Sequence, residues 1–175
     1  MATDLFSQLY DQYLDKIYRF IYFRVDSEDI AHDLTSRVFL NLWKKLNDPK
    51  KTLFSRIKNH QAFLYRSARN AVIDFYRGRN QGVMSLESLS GTISDHSLMN
   101  QKSAVEAMEM NADMLAIKDA LKHLKLEYSE ILIMYYLNDL SIQEIGRIFN
   151  KNEGTIRIII HRAIRALKSE MKIGD

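Results

Sequence analysis

The chain has 175 residues, of which 46% are hydrophobic, and its formal net charge is +3. This size allows one domain or two small ones, with enough apolar content for a packed core. It contains no cysteine, which excludes disulfides and thiolate metal sites, and it shows neither an apolar run of membrane-spanning length nor a signal peptide. A single proline and six glycines favour an all-α protein, which we expect to be soluble and cytoplasmic.

Two apolar stripes predict a pair of packed helices at the start of the chain. Each stripe repeats at the i, i+4 spacing of one helix face. The first consists of Leu9, Tyr13, Ile17 and Ile21, and the second of Ile30, Leu34, Val38, Leu42 and Leu46. Asp26 or Ser27 is the expected N-cap of the second helix, because both side chains accept hydrogen bonds from the free N–H groups of a first turn.

A loop and a third helix follow. Between residues 47 and 60 Asn-Asp-Pro precedes a run of lysines, which predicts a loop with one helical turn in it. The third helix is predicted from about Gln61 to Tyr76, with Leu64, Ala68, Val72 and Phe75 facing inward. Its other face presents Arg66, Arg69, Asn70 and Arg77. Arginines that share one helix face repel each other, and a polyanion relieves that repulsion.

A change of composition predicts a division of the chain into two domains. Residues 78–100 are rich in Gly, Ser, Asn and Gln without a sustained period, which is typical of a mobile linker. Helical periodicity resumes with Met114, Ile117, Leu121 and Leu124. We therefore expect one helical domain at residues 1–79, a linker at 80–110 and a second helical domain at 111–175.

The segment from residue 140 to residue 167 predicts a helix-turn-helix. Ser141 and Glu144 fit a capping box, in which each side chain accepts a hydrogen bond from the other residue's backbone N–H. Asn150 tolerates the left-handed backbone of a turn, Asn152 can cap the next helix, and Gly154 keeps the first turn of that helix slim. The apolar faces of the two helices contain Ile142, Ile145, Ile148 and Phe149 in the first, and Ile156, Ile160, Ala163 and Leu167 in the second.

The outer face of the second helix is basic. Its polar residues are Arg157, His161, Arg162, Arg165 and Lys168. A helix in the major groove would place such residues against phosphates and base edges. The alternative is a solvated basic helix of an ordinary bundle, because an apolar stripe with charge on the other side describes most globular helices.

Charge is distributed unevenly along the chain. Residues 66–79 carry four arginines and one acid, a net charge of +3, and residues 157–172 carry five Lys or Arg and one acid, a net charge of +4. Acidic residues instead dominate residues 26–33 and 87–109. This alternation indicates one face for nucleic acid and another for a basic protein partner.

Three motifs together resemble a known family. They are DLTSRVFLNLWKKL, FLYRSARNAVIDFYRGR and, after the linker, LSIQEIGRIFNKNEGTIRIIIHRAIRAL. Their order and spacing resemble the two-domain sigma factors of bacterial RNA polymerase, the extracytoplasmic-function group of the sigma-70 family, over nearly the whole chain. The resemblance implies an initiation factor that binds core RNA polymerase and directs it to promoters. Its N-terminal domain would read the −10 element and assist melting, and its helix-turn-helix would read the −35 element.

The resemblance also implies a polymerase-binding surface on the acidic second helix, which in the family contacts the clamp helices of the largest polymerase subunit. The candidate residues are Asp29, Asp33, Asn41, Trp43 and Lys44. Charge complementarity would orient that docking, and Trp43 would be a buried anchor. The alternative for Trp43 is an ordinary place in the core.

By the same resemblance the loop and the third helix would contact the −10 element and an extruded base. Candidates for stacking and hydrogen bonding to the base are Phe54, Asn59, His60 and Tyr65, and candidates for holding the separated strand are Lys50, Lys51, Arg56 and Lys58. Arg66, Arg69, Asn70 and Arg77 would bind DNA from the helix, with Asp74 orienting one arginine. Ordinary packing is the alternative for Phe54 and Tyr65.

In the C-terminal domain the resemblance assigns the −35 element to the second helix of the helix-turn-helix. The residues nearest the groove would be Glu153, Thr155, Arg157, Ile158 and His161, with Arg162 and Arg165 toward phosphates. Ile158 and Ile159 stand where small polar or basic residues are usual, and Asn150 and Lys151 replace the usual glycine and apolar residue of the turn. With fewer hydrogen-bonding groups, direct readout would be weaker, or Ile158 would read thymine methyl groups; Ile159 would serve packing.

Other classes of protein make distinct predictions. The sequence contains no glycine-rich phosphate loop, nucleophile elbow or HExxH motif, and its histidines lack ligand spacing, so we expect no catalysis, cofactor or metal. A free-standing helix-turn-helix regulator would bind duplex DNA alone as a dimer and leave the N-terminal basic helix unexplained. A helical scaffold protein would show no salt-dependent affinity for DNA. The resemblance adds an anti-sigma protein as a partner, although no residue identifies one.

Overall fold

The computed structural model describes residues 2–47, 59–80 and 112–172, and all regular structure within these ranges is helical. The first three helices are α1 (Ala2–Tyr22), α2 (Glu28–Leu46) and α3 (His60–Asn80). They are followed by α4 (Ala112–His123), α5 (Leu126–Leu132), a π-helical segment (Ile133–Leu137), α6 (Ile142–Phe149) and α7 (Glu153–Glu170). We call α1–α3 the N-terminal lobe and α4–α7 the C-terminal lobe. Residues 48–58 of the predicted loop (47–60) and residues 81–110 of the predicted linker (80–110) lie outside the described residues.

The N-terminal lobe is built from the apolar stripes that the sequence predicts. Leu9, Tyr13, Ile17 and Ile21 of α1 are buried against Leu34, Val38 and Leu42 of α2, and against Leu64, Ala68 and Val72 of α3. Ser27 is the N-cap of α2, since its hydroxyl accepts a hydrogen bond from the backbone N–H of Ile30 at 3.3 Å. Helix α3 passes through Gly78 to Asn80 and is therefore longer than predicted.

The C-terminal lobe contains an irregular helix that ends in a sharp turn. The π-helical segment closes with a hydrogen bond from the N–H of Asn138 to the carbonyl of Ile133 at 3.1 Å. Asp139 then has a positive φ of 54°, a left-handed conformation that aspartate adopts more readily than most residues. The resulting turn buries Asn138 and redirects the chain into α6. Periodicity does not predict this feature.

The two lobes pack against each other and share one apolar core. Buried residues of α1, α2 and α3 form a continuous cluster with Ile131, Met134, Ile145 and Ile156 of the C-terminal lobe. Contacts between the lobes join α1 to the π-helical segment and α3 to α6. No helix in the described ranges is both long enough and apolar enough to cross a membrane.

Candidate nucleic-acid interface

The helix-turn-helix is fixed by side chains that satisfy its own backbone. The Ser141 hydroxyl accepts a hydrogen bond from the N–H of Glu144, and the Glu144 carboxylate accepts one from the N–H of Ser141 at 2.8 Å. Asn150 occupies the left-handed region with φ 54° and ψ 45°, and the Asn152 side-chain oxygen accepts from the N–H of Thr155 at 2.8 Å. The predicted capping box, turn and N-cap are therefore confirmed.

Glu144 is ionised more readily than an ordinary glutamate. Partial burial acts to raise its pKa, but hydrogen bonds from the backbone and hydroxyl of Ser141 and from Gln61 outweigh burial and hold the pKa below its usual value. A lowered pKa in the folded state means that this stabilisation is present above the ordinary glutamate pKa and is lost as the pH falls through the lowered value. The capping box is therefore intact at neutral pH.

Substitution of Ser141 tests the capping box. Ser141→Ala is expected to lower the free energy of unfolding by about 1 kcal/mol, because the first turn of α6 loses a side-chain acceptor. The measurement is urea denaturation followed by far-UV circular dichroism at neutral pH. Ser169→Ala is the control, because Ser169 is an exposed serine of α7. Ser129 would be unsuitable, because it is buried. Equal stabilities of the Ser141→Ala and Ser169→Ala variants would contradict the prediction.

Gly146 is a residue of this site that sequence reasoning missed. A Cβ atom at this position would lie 2.7 Å from the carbonyl oxygen of Lys151, a separation that real Cβ atoms do not adopt. The N–H of Lys151 also donates to the Gly146 carbonyl at 2.9 Å. The turn therefore folds back directly onto the glycine. A glycine on the inward side of an otherwise apolar helix next to a turn is a signal that could have identified it.

The exposed face of α7 carries the residues predicted for the −35 element. Glu153, Arg157, His161, Arg162 and Arg165 are exposed, and Thr155 is partly buried. Arg157 donates to Glu153 one turn earlier at 3.1 Å. Ile158 is 54% exposed whereas Ile159 is 8% exposed. The expectation that Ile159 serves packing is thus confirmed, and Ile158 is free to meet an apolar group such as a thymine methyl.

Two residues predicted to capture a base have structural roles here. Tyr65 lies in the core with no exposed surface, and its hydroxyl accepts a hydrogen bond from the side-chain amide of Asn138 at 2.9 Å. Burial raises the pKa of Tyr65. The prediction that Tyr65 stacks on a base is therefore wrong for this arrangement, because no face of its ring is accessible. Asn59 caps α3 by accepting from the N–H of Ala62 at 2.9 Å, which occupies the oxygen that was predicted to bind a base.

The other predicted residues of the −10 surface divide into two groups. Arg66 and Arg69 contact the C-terminal lobe, whereas Asn70 and Arg77 are exposed. Arg77 lies 4.0 Å from Asp74, an exposed and weak version of the expected pair. His60 begins α3 and is partly buried. Predictions for Lys50, Lys51, Phe54, Arg56 and Lys58 lie outside the described residues.

A polar surface with an apolar centre covers the outer side of α2. The predicted polymerase-binding residues Asp29, Asp33, Asn41 and Lys44 are all exposed. Trp43 is 37% exposed and packs edge-on against Phe6 of α1, with ring centroids 5.1 Å apart, so it belongs only partly to the core. Leu40 is 49% exposed beside it. Sequence reasoning did not include Leu40 in this surface. An apolar residue outside the buried stripe of an amphipathic helix is a signal that could have identified it.

Comparisons with known proteins agree with this layout. Residues 9–81 match the family model for sigma-70 region 2, and residues 114–167 match the model for sigma-70 region 4. The ECF RNA polymerase sigma factor BldN of Streptomyces coelicolor is 32% identical over 165 residues, which cover 94% of this chain and 60% of BldN. The ECF RNA polymerase sigma factor SigM of Bacillus subtilis is 25% identical, with 93% of this chain and 92% of SigM covered.

A solved structure shares the fold. It is the complex of the sigma factor RpoE with the anti-sigma factor NepR from Bartonella quintana, which matches with a TM-score of 0.67 and 21% identity. The match covers 97% of this chain and 98% of that chain. The similarity therefore includes both lobes.

The fold has two helical lobes, and α7 presents an exposed basic face from its helix-turn-helix. These features together define the class of two-domain DNA-binding proteins. The two family matches occur in chain order and together span both lobes. The chain belongs to the sigma-70 family, within its extracytoplasmic-function group, and is a sigma factor that directs RNA polymerase to promoters.

Proposed function

We propose that the chain divides promoter recognition between two functional domains, residues 1–79 and 111–175, joined by a linker at 80–110. The observation that carries this proposal is the row of exposed residues on α7, held outward by a helix-turn-helix whose caps and turn are complete. Such a helix can enter the major groove of the −35 element, with Arg162 and Arg165 at phosphates. The arginines of α3 bind the −10 element and its separated strand.

The role of the protein is binding rather than catalysis. It supplies contacts that position the polymerase on the promoter and hold melted DNA, while phosphodiester chemistry belongs to the polymerase. Within the described ranges no three His, Cys, Asp or Glu residues cluster as metal ligands would. We propose that it acts in the cytoplasm with the polymerase, and that an anti-sigma protein regulates it, because the sigma factor RpoE, which shares its fold, forms a complex with the anti-sigma factor NepR.

Transcription in a purified system tests the function. The chain is mixed with core polymerase and a promoter library, and the initiated templates are sequenced. Selective initiation that is lost with Arg162→Ala and Arg165→Ala supports the proposal. Binding of duplex DNA by a dimer of the chain, without binding to the polymerase, would support the free-standing regulator instead.

Two exposed substitutions separate polymerase binding from promoter opening. Asp33→Ala is expected to weaken binding to core polymerase several-fold, about the effect of losing one docking charge. Arg77→Ala is expected to leave that affinity unchanged and to reduce promoter opening, measured by permanganate reactivity of unpaired thymines. Asp11→Ala is the control, because it removes an exposed acid of the same lobe from outside the predicted surface. Equal effects of Asp11→Ala and Asp33→Ala would contradict the assignment.

A further inference from the structure

Ile158 is the apolar centre of an otherwise polar helix face. It is 54% exposed, and its neighbours on the outer side of α7 are Gly154, His161, Arg162 and Arg165, all of them exposed. A single exposed apolar side chain is common on protein surfaces. This one, however, lies in the middle of the surface that the helix-turn-helix presents to a partner.

The buried side of α7 fixes the direction in which Ile158 points. Ile156, Ile159, Ile160 and Ala163 are all buried in the core. With about 100° of rotation per residue, Ile158 lies about 150° around the helix axis from the centre of these four residues. Its side chain therefore points almost directly away from the core, towards whatever α7 contacts.

Two neighbouring residues leave the side chain of Ile158 uncovered. Gly154 lies one turn earlier on the same face, and a Cβ atom there would meet only the side-chain oxygen of Asn152, at 3.5 Å, so the backbone beside Ile158 is bare. Arg157 donates to Glu153 at 3.1 Å, which directs its guanidinium towards the start of α7 rather than over Ile158. A ligand group can therefore approach the methyl groups of Ile158 closely.

The surroundings of Ile158 match the chemistry of a DNA major groove. Arg162 and Arg165 follow it by one and two turns, where they suit the phosphates that border the groove. The apolar group that a base edge presents in the major groove is the methyl group on C5 of thymine. Cytosine carries a methyl group on the same ring carbon when it is modified to 5-methylcytosine.

We propose that Ile158 reads the C5-methyl group of a pyrimidine, so that 5-methylcytosine can replace thymine at one position of the −35 element. This inference rests on the proposed role of α7 in −35 recognition. An isoleucine side chain has no hydrogen-bond donor or acceptor, so it does not sense the oxygen or amino group that distinguishes the two bases. Methylation of cytosine at that position therefore strengthens promoter recognition by this chain.

The size of the effect follows from the burial of one methyl group. Removing a methyl-sized apolar group from water favours association about fourfold. Contacts between arginines and phosphates supply most of the affinity and do not depend on the base. The methyl group is therefore expected to change the preference at one base pair and to leave the rest of the −35 preference unchanged.

Four promoter libraries separate the methyl group from the base that carries it. Each library has a randomised −35 element, prepared with thymine or uracil and with cytosine or 5-methylcytosine. Each is ligated to the same unmodified downstream half, taken from a promoter that the transcription assay selects, so that the −10 element keeps its ordinary bases. Complexes of the chain with core polymerase are selected on each library, and the bound templates are sequenced.

The expected preference follows the methyl group. In the library with thymine and cytosine, thymine is expected to be enriched about fourfold at one −35 position. That enrichment should disappear with uracil and cytosine, and it should move to cytosine with uracil and 5-methylcytosine. The same base preference in all four libraries would overturn methyl reading. Absence of any −35 preference would show instead that the proposed role of α7 has failed, and the inference would fall with it.

Substitutions assign the methyl contact to one residue. Ile158→Ser is expected to abolish the methyl-dependent preference and to keep the other −35 preferences, whereas Ile158→Val should retain both. Leu115→Ser is the matched control, because Leu115 of α4 is 53% exposed and lies outside the helix-turn-helix. Methyl dependence that persists in Ile158→Ser would overturn the assignment. The comparison among the libraries uses the unmodified chain, so its result does not depend on the folding of a variant.

Discussion

Replacing Gly146 by alanine is expected to disrupt the helix-turn-helix and remove −35 recognition. The added Cβ would lie 2.7 Å from the Lys151 carbonyl oxygen, a backbone atom that cannot rotate away. The turn must then shift, at the cost of about 1–3 kcal/mol that overpacking usually carries. The turn sets the angle of α7. We therefore expect the loss of binding free energy for the −35 element to exceed the loss of free energy of unfolding. The measurements are urea denaturation and protection of the −35 element by the polymerase complex.

Gly154→Ala provides the matched control for this prediction. A Cβ there meets only the side-chain oxygen of Asn152, at an ordinary 3.5 Å. Alanine is also the better helix former, by up to about 1 kcal/mol, so Gly154→Ala should be neutral or stabilising. Equal stabilities and equal −35 protection of the two variants would refute the steric role of Gly146.

Local patterns predicted the helices and the helix-turn-helix well, for a physical reason. An apolar stripe marks the side of a helix that must be buried, whatever it is buried against. Caps and turns depend on side chains within four residues of the groups they satisfy, so Ser141, Asn150 and Asn152 could be identified from the sequence alone. The bounds of α3 were less accurate, because Gly78 lies in a helix where nothing crowds it.

Contacts between distant segments were beyond the same reasoning. Glu130 lies 106 positions from Arg24 and 61 from Arg69, and no periodicity connects such residues. Arg66 and Arg69 were recognised as an unusual concentration of charge, but their partners in the folded chain were not. Tyr65 was assigned to base capture from its residue type, whereas its burial depends on how α3 packs on α1 and on the turn at Asn138.

Glu130→Ala is expected to give the largest loss of stability among these substitutions. Arg24 is almost fully buried and would keep its charge without the carboxylate that it now contacts at 2.8 Å. Removing one partner of a buried ion pair costs about 3–5 kcal/mol, since the remaining charge stays desolvated. The packing between the lobes should be weakened most, because Glu130 of the C-terminal lobe contacts Arg24 and Arg69 of the N-terminal lobe. The substitution also removes side-chain volume and both hydrogen bonds that the carboxylate accepts.

Two optical probes can locate that loss. Trp43 is the only tryptophan in the chain, and it reports on the N-terminal lobe through its contact with Phe6. Far-UV circular dichroism reports on helices of both lobes. With a shared core, the unmodified chain should give coincident urea transitions by both probes. In Glu130→Ala the ellipticity should fall at lower urea than the Trp43 signal, because the C-terminal lobe loses its support first.

The partly exposed Glu127 supplies the comparison that makes this result specific. It lies on the same helix, and its pair with Lys151 at 3.3 Å is solvent-accessible, so Glu127→Ala should change stability by no more than about 0.5 kcal/mol. Coincident transitions at the original midpoint in Glu130→Ala would mean that apolar packing alone holds the lobes together. Separated transitions only in Glu130→Ala would mean that a single buried carboxylate, through its contacts with Arg24 and Arg69, couples the C-terminal lobe to the N-terminal lobe.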